Sequence, residues 1–139
     1  MIVLDTNVLS ELMRPAPSAA VARWVERQPS LELFTTAITQ AEIFYGIELV
    51  GKGKRRDELL AAADAMFADD LAAHILSFDG EAARAYANLA ARHRAKGKPI
   101  SQSDAQIAAI ALVHRAALAT RNVRDFEQCG LRLIDPWQD

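Results

Sequence analysis

Apolar residues in this chain come in short blocks that end abruptly on polar ones. Ile2-Val3-Leu4 runs into Asp5-Thr6-Asn7, Leu33-Phe34 into Thr35-Thr36, and Ala117-Leu118-Ala119 into Thr120-Arg121-Asn122. Such blocks read as buried strands emptying into loops or helix starts. His74-Ile75-Leu76-Ser77 and Leu131-Arg132-Leu133-Ile134 supply two further short strands. Between them the spacing turns helical. Val8 to Met13 predicts a short helix ended by Arg14-Pro15-Ala16-Pro17, since closely spaced prolines favour extended backbone. Ser18 caps a helix with Val21, Trp24 and Val25 on one face and Arg23, Glu26 and Arg27 on the other. Thr39 opens a helix carrying Glu42, Ile43, Tyr45, Ile47 and Leu49, and Lys52-Gly53-Lys54-Arg55-Arg56 follows as a basic turn. A helix from about Asp57 to Asp70 aligns Leu59, Leu60, Ala63, Met66 and Phe67. Asp79 caps an alanine-rich helix with Ala82, Tyr86, Leu89 and His93 on one side, and another helix runs from Gln102 to about His114. Strands separated by one or two helices predict an α/β fold with a mostly parallel five-stranded sheet covered on both faces. We expect one domain over residues 1–139.

Composition narrows this in three ways. With 139 residues, 51% hydrophobic and 24% charged, the chain can bury a core and is not disordered. One cysteine, Cys129, excludes an internal disulfide framework and a cysteine-based zinc cage. Asp5 and Glu11 interrupt any apolar leader, and no apolar run approaches the roughly 20 residues needed to span a bilayer. A cytoplasmic location with no membrane contact is therefore expected. The net charge of -2 argues against a general polyanion binder, yet local basic patches remain available for phosphates.

The chemistry is carried by acids at the ends of apolar segments: Asp5, Glu42, Asp104 and the pair Asn122/Asp125. Each has a plain structural reading. Thr39-Gln40-Ala41-Glu42 fits a capping box, Ser101-Gln102-Ser103-Asp104 a shorter version of it, Asp5 or Thr6 caps the first helix, and Asn122 caps the last. Together they read differently. Asp5 and Asn122 follow strands, Glu42 and Asp104 start helices, and parallel strands bring such ends to one edge, where α/β sheets bind ligands. Clustered carboxylates raise one another's pKa unless a cation joins them. Mg²⁺ suits two or three carboxylates with waters and substrate phosphate.

Four segments carry a resemblance: Leu4-Asp5-Thr6-Asn7-Val8-Leu9, Ile38-Thr39-Gln40-Ala41-Glu42, Asp104-Ala105-Gln106-Ile107-Ala108-Ala109 and Ala119-Thr120-Arg121-Asn122-Val123-Arg124-Asp125-Phe126. In order and over essentially the whole length, they resemble the PIN-domain family, nearest the VapC- and FitB-like toxins of bacterial toxin–antitoxin pairs. The ending Asp135-Pro136-Trp137 resembles many of those chains. The resemblance implies an α/β/α sandwich with a central parallel sheet and a Mg²⁺- or Mn²⁺-dependent endoribonuclease. It also implies a homodimer and an antitoxin that covers the acidic groove with its own C-terminal segment. Asp5, Glu42 and Asp104 match the family's first three acids. Asn122 stands where a fourth acid is common, so either Asn122 or Asp125 is left to complete the site. Thr6, Asn7 and Thr120 match supporting polar positions.

The implied reaction is metal-assisted hydrolysis of an RNA phosphodiester, with Asp5 and Asp104 as direct metal ligands and Glu42 acting through water or on the nucleophile. Arg14 and Arg121 adjoin the site in sequence and are the RNA-binding candidates. Lys52, Lys54, Arg55, Arg56, Arg92, Arg94, Lys96 and Lys98 are expected further out. His74, His93 and His114 need no catalytic role and read as surface or partly packed residues. Trp24, Phe44, Tyr45 and Phe67 read as core or interface. A haloacid-dehalogenase-type phosphatase would require Asp-x-Asp after the first strand, whereas Asp5-Thr6-Asn7 lacks the second acid. The remaining alternatives are a DNA-directed nuclease of related fold and a non-catalytic nucleic-acid-binding protein that has lost its metal.

Overall fold

The computed structural model of the chain describes residues 1–139. Five parallel strands lie in the order β3-β2-β1-β4-β5: β1 (Ile2–Leu4), β2 (Leu33–Thr36), β3 (Ile75–Leu76), β4 (Ala117–Ala119) and β5 (Leu133–Ile134). Helices cover both faces, giving the expected α/β/α sandwich. The strands are short, so register rests on a few pairs: Val3 opposite Phe34 on one side and Leu118 on the other.

Alternation along the central strands divides the core in two, because successive strand residues face opposite sides of a sheet. Leu4 and Ala119 join Val8, Leu9, Val21, Trp24, Ile43, Ile47, Met66 and Phe67, beneath α1 (Thr6–Leu12), α2 (Ala19–Arg27), α3 (Ala37–Glu48) and α4 (Lys54–Ala65). Val3 and Leu118 join Leu89, Ala105, Ile107, Ala108, Ala111 and Phe126 under α5 (Gly80–Ala95), α6 (Gln102–Val113) and α7 (Val123–Phe126). Leu118 and Phe126 are wholly buried, each contributing roughly 1.5–3 kcal/mol through the water it sheds. In α6 Ala105 and every residue from Ile107 to Ala111 are buried, so this helix is enclosed on nearly all sides, as an apolar helix must be.

Most of the elements read from the sequence are present, with four differences. The first helix starts at Thr6 rather than Val8, because Asp5 caps it by accepting from the Thr6 amide at 2.8 Å. Thr36, not Thr39, caps α3: its hydroxyl accepts from the Thr39 amide at 3.0 Å. The presumed basic turn is largely helical, since α4 begins at Lys54 behind Gly53 at φ 150°. At its far end α4 widens into a π-helical turn, Met66–Asp70, which tucks Met66 and Phe67 into the core. His93, read as surface or partly packed, is buried, with Nδ1 2.9 Å from the Leu89 carbonyl and Nε2 3.8 Å from Cys129 Sγ. Burial pushes the Cys129 thiol up to about 11, leaving it protonated near neutral pH. Tyr45, by contrast, is exposed.

The strand order matters most for function. The chain steps outward from β1 through β2 to β3, then returns past β1 to place β4 and β5 on the other side. The strand order thus reverses between β1 and β4, although the two strands are parallel. At such a switch point the following loops part and leave a crevice at the carboxyl edge.

Candidate functional site

The crevice is lined by Asp5, Thr6, Asn7, Ser10, Glu11, Arg14, Glu42, Arg55, Asp104, Arg121, Asn122 and Trp137. The residues singled out from the sequence therefore meet there from separate elements. Asp5 follows β1, Glu42 lies on α3, Asp104 opens α6, and Arg121 and Asn122 follow β4. Thr120 is buried directly behind them.

Asp5 is held by a tight polar frame. Thr120 Oγ1 donates to Asp5 Oδ2 at 2.8 Å, Asn7 Nδ2 donates to the same oxygen at 3.1 Å, and the Thr6 amide takes Oδ1. The Asp5 amide donates to the Ala119 carbonyl at 2.9 Å, tying the end of β1 to the end of β4. Having given its proton to Asp5, the Thr120 hydroxyl can only accept, and the Asn122 amide donates to it at 3.0 Å. The Asn7 side-chain oxygen Oδ1 accepts from the Arg121 amide at 3.1 Å. One network thus fixes both Asp5 and the loop behind β4.

Glu42 is fixed by Thr6, whose hydroxyl donates to Oε1 at 2.8 Å. Thr6 Oγ1 also lies 3.0 Å from Thr39 Oγ1, and with its own proton committed to the carboxylate it accepts from Thr39. With Thr36 as the cap, Glu42 falls in the second turn of α3, too far along to serve the helix's own amides. The capping-box reading of Glu42 does not survive. For Asp104 half of it does: Ser101 Oγ accepts from the Asp104 amide at 3.2 Å, while the Asp104 carboxylate does not take the Ser101 amide in return. Asn122 precedes α7 yet makes no side-chain cap bond. Its side chain lines the crevice, whereas Asp125 faces a neighbouring pocket with His93, Lys98, Ser101 and Arg124; Asp104 borders both.

Electrostatics mark the acids as unrelieved. Burial raises the Asp5 carboxyl above its ordinary value despite hydrogen bonds from Thr120, Thr6 and Asn7, and the Glu42 charge adds to the rise. Burial also raises Asp104, with the charge of Asp5 next and those of Asp125 and Glu42 behind it, opposed by the Ser101 hydroxyl. None of Asp5, Glu42 and Asp104 forms an ion pair with a basic side chain; Arg14 is engaged with Glu11 at 3.3 Å. No three His, Cys, Asp or Glu side chains close around a metal position by themselves. The donor set still fits Mg²⁺ or Mn²⁺, hard cations commonly held by one or two carboxylates with water in the other positions. The Asn122 carbonyl is an additional neutral oxygen donor.

Two lining residues were named in the sequence reading but not assigned to the site. Glu11 is buried in the crevice wall, where the Ser18 amide and Arg14 hold its carboxyl below the ordinary range. Its only sequence signal was an acid within an apolar helix turn. Trp137 faces Arg121, whose guanidinium carbon stands 5.0 Å from the indole centroid. Arg55, expected further out, also reaches the crevice.

The chain is similar to known proteins along its whole length. The PIN domain family matches residues 2–130. The chain is 41% identical over 138 residues to the VapC ribonuclease Y4jK of Sinorhizobium fredii, covering 99% of each protein. It is 34% identical over 139 residues to Toxin FitB of Neisseria gonorrhoeae, covering 100% of both. The crystal structure of FitAcB from Neisseria gonorrhoeae superposes with a TM-score of 0.88 at 32% identity, covering 100% of each chain.

Proposed function

The chain belongs to the PIN-domain family, closely related to the VapC- and FitB-type toxins of toxin–antitoxin systems, and from that premise we propose that it is a Mg²⁺- or Mn²⁺-dependent endoribonuclease. The observation that carries the reading is the meeting of Asp5, Glu42 and Asp104, none with a cationic partner, in one crevice at the switch point of the sheet. We read residues 1–139 as one nuclease domain.

In this reading Asp5 and Asp104 hold the metal, with the Asn122 carbonyl as a neutral supplement; Asp125 faces the adjacent pocket and acts on Asp104 only through its charge. The ion, when bound, makes a water more acidic and offsets negative charge on the reacting phosphate. Asp5 is oriented by Thr120, Asn7 and Thr6 before any substrate arrives, so little reorganisation is needed in the reaction. Glu42, steered by the Thr6 hydroxyl, orients the attacking water and takes its proton. Arg14 and Arg121 flank the carboxylates and draw the RNA backbone across them. No histidine is required, and His93 is occupied by Leu89 and Cys129.

The biological role we infer is that of a toxin acting on RNA, restrained by a cognate antitoxin, with the toxin itself a homodimer. An apolar groove formed by Met13, Pro15, Ile43, Ile47 and Leu59 leads out of the crevice, sharing Thr6, Ser10, Arg14, Glu42 and Arg55 with it, and offers an antitoxin segment a continuous track. No helix is long and apolar enough to cross a membrane.

The test is cleavage of RNA by purified, partner-free protein. Activity is expected with Mg²⁺ or Mn²⁺ and none in chelator. Asp5→Asn and Asp104→Asn should each lower it by at least about 100-fold, since even a residue that only supports a ligand commonly costs 10- to 100-fold. Chelator-resistant cleavage, or full activity in both variants, would sink the reading.

A further inference from the structure

Trp137 lies just beyond β5, and its ring is only partly buried on the wall of the crevice. The ring packs against the edge of the core beneath α1 to α4 but is not enclosed by it as Trp24 is. Instead its face is turned toward the guanidinium of Arg121, at a distance suited to a cation–π contact. The Trp137 amide is secured by Asp135 Oδ1 at 2.9 Å, and the Arg121 amide by Asn7 Oδ1 at 3.1 Å. Arg121 is thus anchored at its backbone to the network that holds Asp5, and at its tip to an aromatic surface. It forms no salt bridge with a carboxylate. With no carboxylate paired to it, its guanidinium keeps its N–H donors available while the indole meets its charge.

We propose that Trp137 is a positioning residue for substrate: it holds Arg121 at the crevice mouth, where the guanidinium takes a phosphate of the RNA strand adjacent to the one being cut. The inference rests on the ribonuclease reading for the identity of the strand. The free charge of Arg121, so close to the acids, suits a phosphate group, and the fixed edge geometry favours two-point contact with its oxygens. Without the ring, Arg121 would sample many rotamers, and each binding event would have to order it anew.

The role makes an unusual demand: replacing a neutral residue should change the salt dependence of RNA binding. Anisotropy of a labelled single-stranded RNA oligonucleotide, in chelator so that nothing is cut, measures affinity across a salt series. Arg121→Ala should weaken binding and lower the slope of log affinity against log salt by about 0.7, the value of one phosphate contact on a single strand. Trp137→Leu, which keeps apolar bulk without the π face, should weaken binding about 2- to 5-fold, as loss of a contact of this type implies, and reduce the slope in the same direction. Trp137→Phe should restore most of both. In an Arg121→Ala background Trp137→Leu should add nothing, since the two act as one unit. With Mg²⁺ present, Trp137→Leu should raise KM and leave kcat nearly unchanged. An unchanged slope with additive losses would mean that Trp137 stacks on a base directly, overturning the positioning role. Wild-type affinity and slope in Trp137→Leu would overturn it too. If wild-type protein fails to cut RNA with metal, the ribonuclease reading falls, while the slope comparison still reports on the Arg121–Trp137 pair.

Discussion

Asp104 is the acid least compensated by its surroundings. Asp5 has three donors for its two oxygens, whereas the Asp104 carboxylate, half-buried and pressed by Asp5, Asp125 and Glu42, is relieved only by the Ser101 hydroxyl. Its folded pKa lies above the ordinary value, so between those two values the folded state holds more protons than the unfolded. For this group stability falls as pH rises through that window, and the cost is complete once Asp104 is ionised. Asp104→Asn removes the charge and keeps the shape. Without metal the variant should melt above the wild type at pH 7 to 8, while losing its activity. The advantage should shrink as pH falls through the raised pKa of Asp104, below which the wild-type group is itself neutral. Melting curves of both proteins at several pH values check this, and the comparison cancels groups of opposite sign such as Glu11, whose pKa is lowered. A variant less stable than wild type at neutral pH would show that Asp104 is already satisfied.

At the scale of elements, α3 shows where the sequence was legible and where it was not. Its apolar positions and its place after β2 were plain. Its first residue was not, because Thr36 and Thr39 both stand three residues before a position whose amide could be capped. Backbone geometry decides between them: Thr36 is extended, at φ -122° and ψ 156°, as a cap must be. That shift moves Glu42 from helix cap to crevice wall, which sequence spacing alone had left ambiguous. The same logic applies to Asn122, whose side chain caps nothing although its position suggests it should. Thr36→Val keeps volume and removes the cap, and should cost about 1 kcal/mol, a fall of about 3 to 4 °C in melting temperature. Cleavage should stay within a few-fold of wild type, because Glu42 sits a turn further on and is tied to Thr6. A loss of activity as deep as that of Asp5→Asn would mean that the first turn of α3 acts in the site itself.

For the whole molecule, the strand blocks foretold a parallel sheet but not its order, since no local signal says whether β4 pairs with β1 or with β3. Pairing of β1 with both β2 and β4 is what parts the loops after Leu4 and Ala119 and brings residues from opposite ends of the chain into one crevice. The Asp5 amide bond to Ala119 and the Thr120 hydroxyl bond to Asp5 cross that junction. The fold thus spends stability in gathering uncompensated carboxylates, and a divalent cation should return it to the molecule as a whole. At a metal concentration tenfold above its dissociation constant, binding to the folded state adds about 1.4 kcal/mol, or about 3 to 5 °C in melting temperature for a chain of this size. Protons compete for the same oxygens. Because the pKa values of Asp5 and Asp104 are raised, the gain should be full at pH 7 to 8 and fade as pH falls through the range where both become neutral. Mg²⁺ or Mn²⁺ should therefore raise the melting temperature of the wild type at neutral pH and leave that of Asp104→Asn almost unmoved. Equal metal-induced shifts in the two proteins would place the cation elsewhere, and would separate the crevice from the metal chemistry assigned to it.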